Sequence, residues 1–208
     1  MKRKIIIAVS LILSAFLIIS CGNKLSQEEK ELEKVQKIYD KKGIDGFCKY
    51  LNKNSYIAVK DSSQNDATPL LIAFKNGDIE KIKLFFEKGA VESEKDSLGK
   101  GILEYALENS NLELINFAID KLPVPFWNIS DSNDCLPIVK VIIQSTDFTV
   151  IKKCIDSTKD LNHADKNGKT PIMYVAQYNI DVRTIKYLLD KGAKIDVKNS
   201  NEWTALMY

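Results

Sequence analysis

The sequence predicts an all-α solenoid of stacked helix-turn-helix units joined by β-turn fingers, behind an N-terminal signal helix. Three observations predict it. The stretch Thr68-Pro-Leu-Leu-Ile-Ala73 recurs far downstream as Thr170-Pro-Ile-Met-Tyr-Val-Ala176, with worn copies between at steps of 33 and 34 residues. Cap chemistry stands at both ends of the paired apolar runs in the two clearest copies. Polar turn residues precede the copies. With 208 residues, 45% hydrophobic and 28% charged, the chain is long enough for one good core and ordinary in composition for a globular protein.

In chain order, Met1-Lys-Arg-Lys4 is a basic n-region and Ile5 to Ile19 an apolar run of 15 residues. That run is short for a bilayer span and fits a signal-peptide h-region. Ile18-Ile-Ser-Cys21 follows and resembles the lipobox of bacterial lipoproteins, with isoleucine where leucine is commoner. The resemblance implies cleavage after residue 20 and lipid attachment at Cys21. Acyl chains would then hold the mature protein to a membrane leaflet. Gly22 takes the place where some bacteria carry an inner-membrane retention aspartate, which points to the outer membrane or its periplasmic face. Residues 21–26 are a tether.

Residues 27–62 read as a degenerate N-terminal capping repeat. Gln27 to Tyr39 forms a charged helix with Leu32, Val35 and Tyr39 on one stripe, and Ile44 to Leu51 parallels Ile79 to Phe86 at an offset of 35. A stack of repeats needs an end unit with a polar outer face, and the charged Glu28–Lys42 segment suits that role.

From residue 63 to the end the chain holds about four repeats and the start of a fifth. Thr68 and Thr170 stand as N-caps before prolines at the first helical position. Gly89 and Gly192 fall where a left-handed C-cap wants glycine. Asp165-Lys-Asn-Gly168 is turn chemistry, repeated less strictly in Asp131-Ser-Asn-Asp134 and Asp96-Ser-Leu-Gly99. The period, with T-P-L-x-x-A openings and L-L-x-x-G-A closings, resembles the ankyrin repeat. The family usually carries histidine after T-P-L. Here Leu71, Glu104, Val139, Met173 and Met207 stand there, a departure that implies lower stability rather than another fold. The second copy runs through Leu122-Pro-Val-Pro125 instead of a glycine cap, and the third and fourth carry an extra residue between helices near Thr146 and Ile180. Thr204-Ala-Leu206 opens the fifth copy. Thr204 is expected to cap it, and Leu206 to pack back on the fourth repeat. The apolar face of Ile185, Leu188 and Leu189 is expected to lack a cover, so the reading anticipates a further repeat in a longer parent chain.

Little in the chain points to catalysis. The net charge is +2, of which Lys2, Arg3 and Lys4 supply three, leaving a near-neutral body with no basic stripe for nucleic acid. The single histidine, His163, lies in an inter-repeat loop and has no partner marked by sequence. Cys48 and Cys154 replace core aliphatics, Cys135 is expected to be exposed, and no C-x-x-C pair suggests zinc, so no metal or cofactor is expected. Asn128-Ile-Ser130 has the glycosylation pattern, which in a bacterial lipoprotein is chance. Phe126 and Trp127 follow two prolines and are either packed under a finger or displayed as binding anchors. The resemblance implies a non-catalytic, membrane-tethered scaffold in the cell envelope that binds a protein partner through its fingers and inner helix face. The expected contact residues are Asn65, Asp66, Phe126, Trp127, Asn133, Asp134, Lys166 and Asn167. The alternatives are a non-catalytic part of a longer enzyme and a structural envelope protein without a specific soluble partner.

Overall fold

The computed structural model describes residues 26–51, 54–178 and 181–208. The signal segment, the lipobox and Cys21 lie outside the described residues, as does Ile180. Nine α-helices form the described chain: α1 (Gln27–Leu51), α2 (Pro69–Asn76), α3 (Ile79–Glu87), α4 (Ile102–Asn109), α5 (Leu112–Lys121), α6 (Pro137–Gln144), α7 (Phe148–Ser157), α8 (Pro171–Tyr178) and α9 (Val182–Asp190). Among the described residues they leave no strand, and the repeats are ankyrin-like helix pairs. The chain divides into two compact units, one up to Ile102 and one from Leu103.

In the first unit, Ser26 and Glu29 begin α1 with a reciprocal cap. Glu29 N–H donates to Ser26 Oγ at 3.2 Å, and Ser26 N–H donates to the Glu29 carboxylate at 2.7 Å. The helix breaks at Gly43, where φ is 61° and ψ −161°, so α1 is two helical arms, as the sequence pattern divides it. Val35 and Tyr39 are buried on the first arm, Phe47 and Leu51 on the second. Phe47 is the hub. Its ring lies 5.6 Å from that of Tyr56 and 5.8 Å from that of Phe85, both edge-on. Thr68 caps α2 through its side chain, with Pro69 at the first helical position and Gly77 left-handed at the far end (φ 76°).

One half-buried carboxylate tightens this unit. Glu94 accepts hydrogen bonds from the hydroxyls of Tyr56, at 3.0 Å, and Thr68. Tyr56 in turn accepts from Leu70 N–H at 3.2 Å and donates its own N–H to Lys88 O at 2.8 Å. Burial pushes the Glu94 carboxyl above its ordinary range, against the pull of those hydroxyls.

The second unit buries one apolar stripe per helix, among them Ala106, Leu114, Ile138, Val141, Ile151, Cys154, Ile172, Val175 and Leu188. Helix α6 packs on α7 and α8, and α9 on α7 and α8. Leu71, Val139 and Met173, which replace the family's usual histidine, are buried, and Glu104 instead pairs with Lys140 at 2.8 Å.

Three sequence expectations change here. Cys48 and Cys135 are both half-buried, so the first is not a core thiol and the second is not fully exposed; Cys154 alone is buried. Leu188 is covered, whereas Leu189 stays exposed. The chain's last turn is a short 3-10 turn, Ala205–Met207, in which Thr204 makes no side-chain cap and Leu206 is 82% exposed. Ala205 packs inward instead. The residues equivalent to Leu206, such as Ile138 and Ile172, belong to full helices each paired with a second helix, and residues 199–208 contain no such pair.

Candidate protein-binding face

The fingers are built from one residue each. In the first unit, Asp96 Oδ1 accepts from Leu98 N–H at 2.9 Å and Lys100 N–H at 2.8 Å. In the second, Asp131 accepts from Asn133 (2.8 Å) and Cys135 (3.2 Å), and Asp165 from Asn167 and Lys169 (2.8 Å each). Asn199 repeats the pattern with Asn201 (2.8 Å) and Trp203 (3.0 Å). In all four the head residue's N–H also donates to the carbonyl of the fifth residue, closing the loop. The closure needs a left-handed fourth residue, and Gly99, Asp134, Gly168 and Glu202 all have φ between 58° and 79°. A short acceptor side chain at the head and a residue tolerating positive φ three later are therefore what the sequence must supply.

Fingers within a unit are tied together by backbone. Ser97 N–H donates to Asn65 O at 2.8 Å, Lys166 N–H to Asn133 O at 3.1 Å, and Ser200 N–H to Asn167 O at 2.9 Å. His163 adds a bond from Nε2 to Asp134 O at 2.8 Å, which makes it a strut between fingers. Below the fingers a pair of asparagines bridges successive repeats. Asn128 accepts from Lys159 N–H at 2.7 Å and donates toward Ser157 O at 3.5 Å. Asn162, 34 residues on, accepts from Lys194 N–H at 2.8 Å and donates to Gly192 O at 3.0 Å. The glycosylation-pattern asparagine is thus a structural bridge.

The expected contact residues fall in three places. Asn65 and Asp66 sit in the first unit, both left-handed (φ 54° and 56°). Asn133, Asp134, Lys166 and Asn167 stand exposed on neighbouring fingers of the second unit and are brought together by the Lys166–Asn133 bond. Phe126 and Trp127 are on a 3-10 turn, Val124–Asn128, that packs on α6 and α7. Phe126 is half-buried, but Trp127 is 1% exposed. Of the two roles open to it, packing is the one the structure gives Trp127.

The exposed aromatics lie elsewhere. Tyr178 and Trp203 are each 48% exposed. Tyr178 stacks on Tyr174 with ring centroids 6.3 Å apart, and Trp203 meets Tyr208 edge-on at 5.6 Å. Lys169 Nζ lies between, 4.3 Å from the Tyr174 ring and 4.5 Å from the Tyr208 ring. Tyr174 donates its hydroxyl to the finger head Asp165 at 2.6 Å, and Asn199 donates its amide to Tyr208 Oη at 2.7 Å. Burial, then the Asp165 bond, pushes the Tyr174 hydroxyl well up, and burial pulls the Lys169 ammonium down. The signal for this cluster was available: a tyrosine follows its finger head by nine residues at both 174 and 208.

A concavity of about 370 Å³ lies at the opposite helix turns of the second unit and is lined by Gln144, Ser145, Asp147, Phe148 and Arg183 among others. Its charges are internally matched. Arg183 pairs with Asp181 at 2.7 Å and lies 5.1 Å from the Phe148 ring. Among the described residues no group of three or more His, Cys, Asp or Glu is placed to hold a metal ion.

Comparison with known proteins agrees with this architecture. A family model for ankyrin repeats (3 copies) matches residues 130–208. No curated protein matches the sequence. Among solved structures, the chain is similar to the immunity protein in a complex with a predatory endopeptidase from Bdellovibrio bacteriovorus. The TM-score is 0.63 at 21% identity, over 88% of this chain and 91% of that one. At that identity the likeness concerns the fold.

Proposed function

We propose that the chain is a non-catalytic ankyrin repeat scaffold that captures a protein partner and is held by a lipid on Cys21 to a membrane of the bacterial envelope, outer membrane or periplasmic face. The observation that carries the binding role is the row of self-closed fingers in the second unit. Each finger fixes its own backbone through one head residue and its neighbour's through one inter-finger bond. The tip side chains can therefore contact a partner with little further ordering of the backbone. The anchoring rests on the sequence Ile18-Ile-Ser-Cys21 behind a basic, then apolar, leader.

The similarity of fold to an immunity protein bound to an endopeptidase favours, as a second reading, a partner that is itself an envelope enzyme. Labelling cells with a fatty acid tests the anchor: the wild type takes up label, and Cys21→Ala yields an unlabelled precursor or a released form. Label persisting in the variant refutes it. Crosslinking in intact cells, with photoreactive residues at exposed finger positions, tests the scaffold. A discrete adduct supports it, and the absence of any adduct from every finger position overturns it.

A further inference from the structure

The strip from the last turn of α8 to the finger headed by Asn199 is rich in unused donors. Tyr208 already accepts from Asn199, so its hydroxyl hydrogen is available to donate. Tyr178 and Trp203 are half in solvent, and neither the Tyr178 hydroxyl nor the Trp203 indole N–H has an acceptor among the described residues. Lys166 and Lys169 have no carboxylate within ion-pair distance among the described residues, and Lys169 Nζ also donates to Gln177 Oε1. Of the exposed acids nearby, Glu202 is taken by Lys198 at 2.8 Å, and Asp134 stands on the neighbouring finger. The finger's own acid, Asp165, is buried and committed to Tyr174 and to two backbone N–H groups. What remains is a band of aromatic faces flanked by N–H, O–H and ammonium donors, in which neither lysine has an ion-pair partner among the described residues. Lys169 is already partly desolvated among its rings, which makes an arriving carboxylate more strongly attracted than at an open lysine.

We propose that this strip, formed by Tyr178, Lys169, Tyr208, Trp203 and Lys166 over the buried Tyr174, receives an acidic, extended segment of the partner protein, with an apolar side chain of that segment against Trp203. The proposal names the partner chemistry for the scaffold reading and rests on it. Large aromatics supply contact area at low entropic cost, and the lysines select the sign of the segment.

The test uses the full-length chain in detergent with fluorine-labelled tryptophan, whose two signals separate Trp127 from Trp203. A short peptide alternating glutamate and leucine should shift the Trp203 signal and leave Trp127 unmoved. Added salt should weaken binding. K166Q/K169Q should weaken it by about tenfold, the size of two exposed charge pairs together. Lys166→Gln alone, at an exposed site, should weaken it less and guards against misfolding of the double variant. A stronger response to the lysine-leucine counterpart or to a short single-stranded DNA, or no movement of Trp203 with the acidic peptide, overturns the proposal. An in-cell adduct formed from other finger positions but never from position 203 also overturns it while leaving the scaffold reading intact.

Discussion

The molecule has two tryptophans in comparable surroundings by sequence, and the fold treats them oppositely. Trp127 follows two prolines and precedes a finger; Trp203 closes one. Trp127 is 1% exposed and Trp203 48%. The difference comes from which slot of the repeat each fills. Trp127-Asn128 aligns with Leu161-Asn162 at the 34-residue step, and in both pairs the first residue is buried while the second bridges to the next repeat. Trp203 aligns with Lys169 and Cys135, the last residue of a finger, which the loop closure holds at the surface. Residue type does not decide between anchor and packing here. Position in the repeat does.

The largest effect that sharpens this contrast is Trp127→Ala. Emptying a fully buried aromatic site should cost about 3–5 kcal/mol in a denaturant melt. A loss of less than about 1 kcal/mol would place the indole at the surface and break the comparison. Gly168→Ala comes next. A Cβ there would stand 2.9 Å from Ser200 N and 3.0 Å from Asn199 Cα in the next finger, and φ is 74°. The neighbour is backbone, so it cannot yield cheaply, and we expect a loss of about 1–3 kcal/mol. The loss should be accompanied by faster amide exchange at Ser200, because the finger that carries Trp203 loses its tie.

Buried polar groups follow the same rule of position, and pH reads them out. Glu94 has a carboxyl raised above its ordinary 4.5 by burial. The folded state therefore holds its proton more tightly than the unfolded state. The contribution of Glu94 to stability should be fully present below about pH 4.5 and should be lost as pH rises through the raised folded value. Glu94→Gln keeps an acceptor for Tyr56 and Thr68 without the charge, so melts of the variant across this range should lose that slope. An unchanged slope would assign it to other carboxylates. The smallest effect is Trp203→Ala, which should leave the melt within about 0.5 kcal/mol of the wild type, as exposed sites do, while removing the response of the strip to an acidic peptide.

Much of the architecture was legible in the sequence. The helix pairs, the left-handed glycines at 89 and 192, and the polar finger heads all follow from cap and turn chemistry that acts within a few residues. What was not legible depends on contacts a whole repeat away. His163 reads as a bland loop residue, yet its ring reaches the Asp134 carbonyl, 29 positions back. Asn128 reads as a chance motif, and its amide spans to Lys159. Leu206 reads as a core position because its equivalents are buried, but their burial requires a paired second helix, which residues 199–208 do not include. The aromatic strip is not legible because Tyr174, Tyr178, Trp203 and Tyr208 are separated in sequence and converge only when Asp165 and Asn199 pin two of them to their fingers.

Solvent quenching of the two tryptophans, read one at a time, tests this account most directly. In Trp127→Phe, where only Trp203 emits, the account predicts red-shifted emission quenched readily by acrylamide. In Trp203→Phe, where only Trp127 emits, it predicts blue-shifted emission that acrylamide barely reaches. Equal quenching in the two variants, or the reverse order, would contradict the assignment of Trp127 to the core and Trp203 to the binding face.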